Sequence, residues 1–248
     1  MPGAPPENGA PGLCPPATDM CDDFSQPRLK AADLEKLAKA RLAELQGQGE
    51  ELHPVVSRSR KLASHFWGSA WMRHLARCES GGLCLAPGRS LLRHGCVLDL
   101  KLAPGLICAK VSAEEIYDVR LEIAPLDGER TAALADSCRG HIGSLVSLLE
   151  GKLDSAVLER LCDADSGLLP EPADWRMGCT CPDWAEPCPH AAAAVYAAGV
   201  MIDADPALLF TLRAVDPALL LQGNLAEPAA FDADALASTF GIDIDTTL

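Results

Sequence analysis

Aromatic side chains are scarce in this chain, where they make up 4% of 248 residues. A core must therefore be filled mainly by aliphatic side chains, which the 48% content of hydrophobic residues can supply. Long apolar runs are lacking too, because the longest, residues 191–202, has 12 residues, fewer than the ~18 that a membrane-spanning helix needs. We therefore expect no membrane span, and a chain long enough for one large or two small domains.

The start of the chain lacks the features of an export signal. Residues 1–20, MPGAPPENGAPGLCPPATDM, contain neither a basic stretch nor an apolar segment behind it. The cysteine count of eleven is odd, which together with that absence favours reduced thiols over a disulfide framework. We therefore expect a cytoplasmic protein, in which residues 1–26, rich in Pro and Gly, are disordered.

Positive charge is also in short supply. The chain has 21 Lys and Arg against 35 Asp and Glu, a formal net charge of −14, which argues against a protein that simply coats nucleic acid. The charge is uneven, however: residues 56–95 hold seven cations and one acid, whereas residues 171–248 hold two cations and twelve acids. The seven cations, candidate nucleic-acid contacts, are Arg58, Arg60, Lys61, Arg73, Arg77, Arg89 and Arg93. This asymmetry fits either a polar partner at one end or mutual compensation of the two segments in the folded protein.

Hydrophobic periodicity predicts an α+β protein with a small antiparallel sheet flanked by helices. We expect strands near 89–93, 96–102, 106–112 and 115–124, which form a meander around Gly95 and the Pro104-Gly105 turn. The helices are expected within residues 28–47, 65–78, 129–138, 141–151, 155–164, 191–202 and 206–215. In the second helix, Trp67 and Trp71 lie one turn apart. They fit either core anchors or an exposed platform on which bases stack beside Arg73 and Arg77.

The chemistry of the chain is concentrated in GCTCPDWAEPCPHAAAAVYAAG, residues 178–199. Cys179 and Cys181 are two residues apart, as are Cys188 and His190, so each pair can face one ion from an extended segment. The intervening PDWAEP carries two prolines, which suit a stiff turn that brings the pairs together. Four sulfur and nitrogen ligands complete the tetrahedral shell of Zn²⁺ and leave no open position for catalysis. The alternative is a chance cluster of cysteines buried as small hydrophobes, but the paired spacing favours a structural zinc site.

The helix after these ligands begins near His190 and opens with an alanine run. Its positive end faces the cluster, which favours the thiolate form of the cysteines. Alanine is a strong helix former and is slim, so the ligand loop can lie close to the helix. We expect Trp184, midway in the turn, to pack over the site.

The pattern C-x-C, spacer, C-x-H resembles the SWIM zinc finger. The similarity extends to a bacterial group of SWIM proteins and covers roughly residues 60–245. The segments that carry it are FWGSAWMRHLARC, LLRHGCVLDLKLAPGLICAKVSAEEIYDVRLEIAPL, CPDWAEPCPHAAAAVYAAGVMIDADPALLFTLRA and LASTFGIDID. The resemblance implies that Cys179, Cys181, Cys188 and His190 are the metal ligands. It also implies binding of nucleic acid or protein, with a Swi/Snf-class helicase as the companion of the bacterial members.

The chain departs from the family pattern in two places, and both departures remove positive charge. Pro189 stands where the family commonly has lysine, and Ser69 and Ala70 replace residues that are often basic. Direct contact between the finger itself and nucleic acid is therefore disfavoured. The division expected is a disordered 1–26, an α+β region 27–165, a finger region 166–215 and an acidic C-terminal segment 216–248 with a short terminal motif.

No catalytic motif is present among those for phosphate loops, nucleophile elbows or zinc proteases. We therefore expect a non-enzymatic adaptor that docks a Swi/Snf-class helicase or another DNA-dependent ATPase and touches DNA through the cations of residues 58–93. The rival hypothesis is a scaffold that binds only protein. A second metal site that uses His74 with Cys78 or Cys84 stays open as a minor alternative.

Overall fold

The structure, a computed structural model, describes residues 29–163, 166–183 and 185–221. Within these residues the fold is α+β, with eight α-helices and one four-stranded antiparallel sheet. The helices are α1 Ala31–Gly47, α2 Phe66–Ser80, α3 Ala86–Arg93, α4 Gly128–Cys138, α5 Leu145–Leu149, α6 Ser155–Leu161, α7 Pro189–Ala204 and α8 Ala207–Leu212. The strands are β1 Val97–Ala103, β2 Leu106–Ser112, β3 Ile116–Ile123 and β4 Trp175–Cys179. Two short 3-10 helices span Pro172–Asp174 and Pro217–Leu221.

The sheet has the order β1-β2-β3-β4. Its first three strands form the meander that the sequence predicts, and Gly105 takes the left-handed conformation (φ 68°) in the β1–β2 turn. Along β3, buried and exposed residues alternate, as expected for a strand with one face on the core. The fourth strand comes from much later in the chain: β4 pairs with β3, and Cys179 lies opposite Val119. This strand places Cys179, the first of the predicted metal ligands, at the edge of the sheet.

The prediction of a strand near 89–93 is wrong, because these residues belong to α3. Gly88, Leu91 and Leu92 are its buried residues, and their spacing of three and four places them on one helical face. Pro87 in the first turn also fits a helix start. In so short a segment, the sequence pattern alone cannot distinguish a helix from a strand. The packing of residues 86–93 against α7 decides for the helix.

The alanine-rich helix α7 is the centre of the fold. Ten consecutive residues from His190 to Gly199 are buried, and the helix contacts α2, α3 and all four strands. Glycine is needed where α7 packs against α3 and where it packs against α2. A Cβ at Gly88 would overlap the backbone of Ala192 and Ala193, and one at Gly199 would overlap the indole of Trp71. The alanine run thus permits close helix packing. The sequence suggested only its other role, which is to leave room for the ligand loop.

Both tryptophans of α2 belong to the core. Trp67 and Trp71 are 1% and 0% exposed, so the base-stacking hypothesis is wrong and the core hypothesis is confirmed. The Trp67 indole N–H donates to the carbonyl oxygen of Leu148 at 2.9 Å, and that of Trp71 donates to Val195 at 3.1 Å. Trp71 also stacks on Trp175 of β4, with ring centroids 6.5 Å apart. The pair therefore ties α2 to α5, α7 and the sheet.

The start of α2 is capped by a residue of α7. The Asp203 carboxylate accepts hydrogen bonds from the backbone N–H of Ser64 at 2.9 Å and of His65 at 2.7 Å. Gly68 makes this approach possible, because a Cβ there would overlap Asp203. The segment FWGSAW therefore carries two core indoles and the close contact that fixes α2 on α7.

Some sequence-based expectations concern residues outside the described ranges. These are the disorder of residues 1–26 and the terminal motif at 236–245, together with most of the acidic segment 216–248. None of the helices in the described part of the chain combines the length and apolar character that crossing a bilayer requires.

Candidate metal centre and cationic groove

The fold brings the four predicted ligands together. One ligand atom each from Cys179, Cys181, Cys188 and His190 lies within 4.8 Å of the others. Cys179 ends β4, Cys181 follows two residues later, and Cys188 and His190 belong to the first turn of α7. In the described part of the chain, no other group of three or more His, Cys, Asp or Glu side chains is arranged to hold a metal. Trp184, which was expected to cover the site, lies outside the described residues.

Backbone hydrogen bonds hold the two halves of the cluster in place. The loop that carries Cys181 is fixed to β3, because Thr180 N–H donates to the Asp118 carbonyl at 3.1 Å and Asp118 N–H donates to Thr180 Oγ1 at 3.0 Å. On the helix side, Cys188 is the N-cap of α7, and its Sγ accepts from Ala191 N–H at 3.4 Å. The cluster therefore joins the sheet edge to the start of the central helix.

One buried atom lacks the partner that a metal would provide. His190 is 7% exposed, and its Nδ1 is buried without a hydrogen-bond partner. A buried polar atom without a partner costs roughly 1–3 kcal/mol. The ring is fixed by Tyr117, whose ring centroid lies 4.5 Å away. A buried imidazole without a protein partner for Nδ1, in a residue whose ligand atom lies within 4.8 Å of three cysteine sulfurs, fits a metal ligand.

The three thiols cannot all ionise without a cation. A hydrogen bond from Cys179, with smaller contributions from His190 and from the Ala191 N–H, lowers the pKa of Cys188 to about 4. The pKa of Cys179 is raised well above its usual value, because its proton is held in that hydrogen bond and because the thiol is buried. Burial also raises the pKa of Cys181. Only one thiolate is thus stabilised by the protein alone, and a bound cation would provide the charge that the other two need.

The sequence also left open a second metal site around His74, and the structure argues against it. His74 Nε2 lies 2.7 Å from the carbonyl oxygen of Pro170, and its Nδ1 lies 2.8 Å from a guanidinium nitrogen of Arg77. Since guanidinium only donates, Nδ1 is the acceptor and Nε2–H donates to the carbonyl. Burial lowers the pKa of His74 and favours this neutral form. Both nitrogens are therefore engaged within the protein.

The seven candidate nucleic-acid contacts fall into two groups. Three form ion pairs with acids: Arg58 with Glu35 at 2.8 Å, Arg77 with Glu171 at 2.9 Å and Arg89 with Glu79 at 2.7 Å. The other four have no carboxylate within ion-pair distance among the described residues, and they are Arg60, Lys61, Arg73 and Arg93. All four are exposed.

The four unpaired cations line one open groove of about 610 Å³, called here the cationic groove. The described residues that line it are Arg60, Lys61, Leu62, Ala63, Phe66, Ser69, Met72, Arg73, Ala76, Arg89, Arg93 and Tyr196. No Asp or Glu of the described residues is among them. A second groove of about 510 Å³ shares Phe66 and Arg73 with the first and is also lined by Arg77 and Glu159. The structure therefore concentrates positive charge on one face of a strongly acidic protein.

The apolar part of the groove was not foreseen from the sequence. Phe66 and Met72 of α2 are half-buried, and the Tyr196 ring lies under the Arg89 guanidinium at 4.8 Å. The Tyr196 hydroxyl donates to Glu79 at 2.9 Å. In the sequence, Phe66 is the aromatic residue that could have indicated this apolar surface, because its neighbour Trp67 faces the core.

Comparison with known proteins adds one relative. The chain is 28% identical over 181 residues to the uncharacterized protein Rv2102 of Mycobacterium tuberculosis. The match covers 71% of this chain and 63% of that protein, so the chain spans less than two thirds of its relative. No family model and no solved structure matches the chain.

Proposed function

We propose that the protein is a zinc-stabilised, non-enzymatic adaptor of the SWIM type. Its protein partner is a Swi/Snf-class helicase or another DNA-dependent ATPase. The Cys3His cluster supports the first part, because a closed set of four protein ligands leaves no position for substrate. Zinc suits this set best, since thiolate and imidazole ligands in a tetrahedron favour it over the harder cations. The partner rests on the resemblance of residues 60–245 to the bacterial SWIM group.

We also propose that the adaptor contacts DNA phosphates, and the cationic groove is the observation that carries this. Four unpaired cations on one groove focus a positive field, which attracts polyanions. The net charge of −14 opposes the approach of DNA. Exposed charges farther away than about 8 Å are screened at physiological salt, so a local cationic face can still attract it. Binding would be weak, on the order of 10⁻⁴ to 10⁻⁶ M, and steeply dependent on salt.

The rival function is a scaffold that binds only protein. The ion pairs of Arg58, Arg77 and Arg89 favour it, because they neutralise three of the seven cations within the fold. The same partner would then be bound without any contribution from the groove. The two functions differ in whether the four unpaired cations contribute to the binding of nucleic acid.

The double substitution Arg73→Ala with Arg93→Ala is expected to weaken DNA binding roughly tenfold, because exposed charge pairs are worth about 0.2–1 kcal/mol each. The matched control is Arg58→Ala with Arg120→Ala, which removes the same charge from ion-paired positions outside the groove. Fluorescence anisotropy across a salt series measures both. Equal losses in the two variants would assign the effect to net charge. No binding of the parent protein at low salt would favour the protein-only scaffold.

A pull-down from native lysate tests the partner. We expect a DNA-dependent ATPase of the Swi/Snf class to be retained by the full chain both with and without nuclease, because the contact is between proteins. Loss of the ATPase after nuclease would mean that DNA alone bridges the two. Capture by the full chain but not by a variant that cannot bind metal would show that the partner needs the folded finger region.

A further inference from the structure

We propose that the cationic groove holds one single strand of nucleic acid, with its phosphates on the rim cations and an unpaired base against Phe66. The inference rests on the DNA contact proposed above and specifies the form of nucleic acid that the groove accepts. It places the binding site on α2, α3, Tyr196 of α7 and the segment before α2, and none of the four predicted metal ligands is among the lining residues.

The positive charge lies on the rim of the groove. Arg60, Lys61, Arg73 and Arg93 are exposed and unpaired among the described residues, and they come from three separate parts of the chain. Arg89 is different, because Glu79 neutralises it and its guanidinium covers the Tyr196 ring. It therefore forms part of the wall and leaves four cations for a ligand.

The floor between these cations is apolar. Phe66 and Met72 are half-buried there, while Ala63 and Tyr196 are buried. The Phe66 ring is fixed edge-on against Trp67, with centroids 5.0 Å apart at 83°. A phosphate alone would need only the cations, whereas a half-buried aromatic ring next to them also suits a base.

The concave shape favours a single strand over a duplex. Proteins that read a duplex insert a protruding helix or ribbon into its major groove, and stacked bases would be out of reach of a ring at the floor of a cleft. Grooves that combine backbone-tracking cations with aromatic rings are typical of single-strand binding. Phe66 and Arg73 also line the adjacent groove, so a strand can continue past the ring. Four phosphate contacts predict a slope of log K against log salt of about −3 for a single strand.

The test compares a 12-nucleotide oligothymidine with a duplex of equal length, by anisotropy on the full metal-loaded chain. We expect the single strand to bind at least about fivefold more tightly. Phe66→Leu should lower single-strand affinity at least about fivefold, since base–aromatic stacking contributes at this scale, and should leave the duplex affinity unchanged. Phe66→Trp should restore binding. Arg93→Gln, at an exposed position, should reduce the slope by about 0.7, whereas the control Arg58→Gln should not.

The outcomes separate this inference from the function on which it rests. Equal or tighter binding of the duplex, or equal losses on both ligands with Phe66→Leu, would overturn the single-strand assignment and leave DNA binding intact. Displacement of the oligonucleotide by inorganic triphosphate at the same phosphate concentration would assign the groove to a free phosphate ligand and also overturn it. No binding of either nucleic acid at low salt would refute the DNA contact itself. Metal content and thermal melting of each variant establish that it is folded.

Discussion

Substitution of Cys181 by alanine is expected to abolish metal binding and to destabilise the whole described fold. The parent protein should carry about one zinc per chain, and the variant close to none, because three remaining donors no longer close a tetrahedron. A structural zinc site contributes folding free energy directly, with ~10–16 kcal/mol of apparent metal-binding energy in zinc-finger peptides. Elemental analysis and thermal melting followed by circular dichroism measure the two effects.

The structure indicates that loss of the metal affects more of the fold than the finger region. For a finger that folds on its own, loss of the metal would unfold residues 175–202 and leave structure in the sheet region, residues 89–124. The cluster holds β4 and the start of α7 together, and α7 contacts α2, α3 and every strand. Loss of the metal should therefore lower the melting temperature of helices and sheet in one transition.

The matched control is Cys108→Ala, which removes a half-buried thiol of β2 outside the cluster. It should keep its zinc and lose far less stability. Two results would contradict the prediction. One is full zinc content in Cys181→Ala, and the other is a melting curve of the parent protein that a chelator leaves unchanged.

The Cys3His cluster could be predicted from sequence because the spacing of its residues is local. The two members of each pair are two residues apart in the chain, and the second pair lies at the start of a helix with recognisable start signals. The sheet partner of Cys179 could not be predicted in this way. β4 is an edge strand of five residues. Its alternation of half-buried and exposed residues is too short to identify a strand from sequence, and its pairing with β3 depends on tertiary structure.

The cationic groove shows a similar limit. The excess of cations in residues 56–95 was visible in the sequence, but their separation into paired and unpaired groups was not. Glu35 and Glu171 lie 23 and 94 residues from the arginines that they neutralise. Only the packing of α2 and α3 on α7 places Arg73 and Arg93 on one groove. Composition predicts how much charge a segment carries, whereas the fold determines which charges are available to a ligand.

The contact between α3 and α7 gives the second large expected effect, which is the loss of stability in Gly88→Ala. Intrinsic helix propensity alone would favour alanine by about 1 kcal/mol. In this fold, however, the added Cβ would overlap the backbone of Ala192 and Ala193. Because backbone atoms cannot rotate away as a side chain can, the two helices must separate. Overpacking of this kind typically costs about 1–3 kcal/mol, and we expect a net loss at the upper end of that range.

Urea unfolding compares Gly88→Ala with the control Gly128→Ala, at a helical position where a Cβ meets nothing within 4 Å. The control should be neutral or slightly stabilising. Since Ala192 lies two residues after the ligand His190, displacement of α7 should also make zinc easier to remove, so a chelator should extract it faster from Gly88→Ala than from the control. A Gly88→Ala variant as stable as the parent, with unchanged metal retention, would contradict the close packing of α3 on α7. The position of α7 would then depend on the metal and on its contacts with α2 and the sheet, without support from α3.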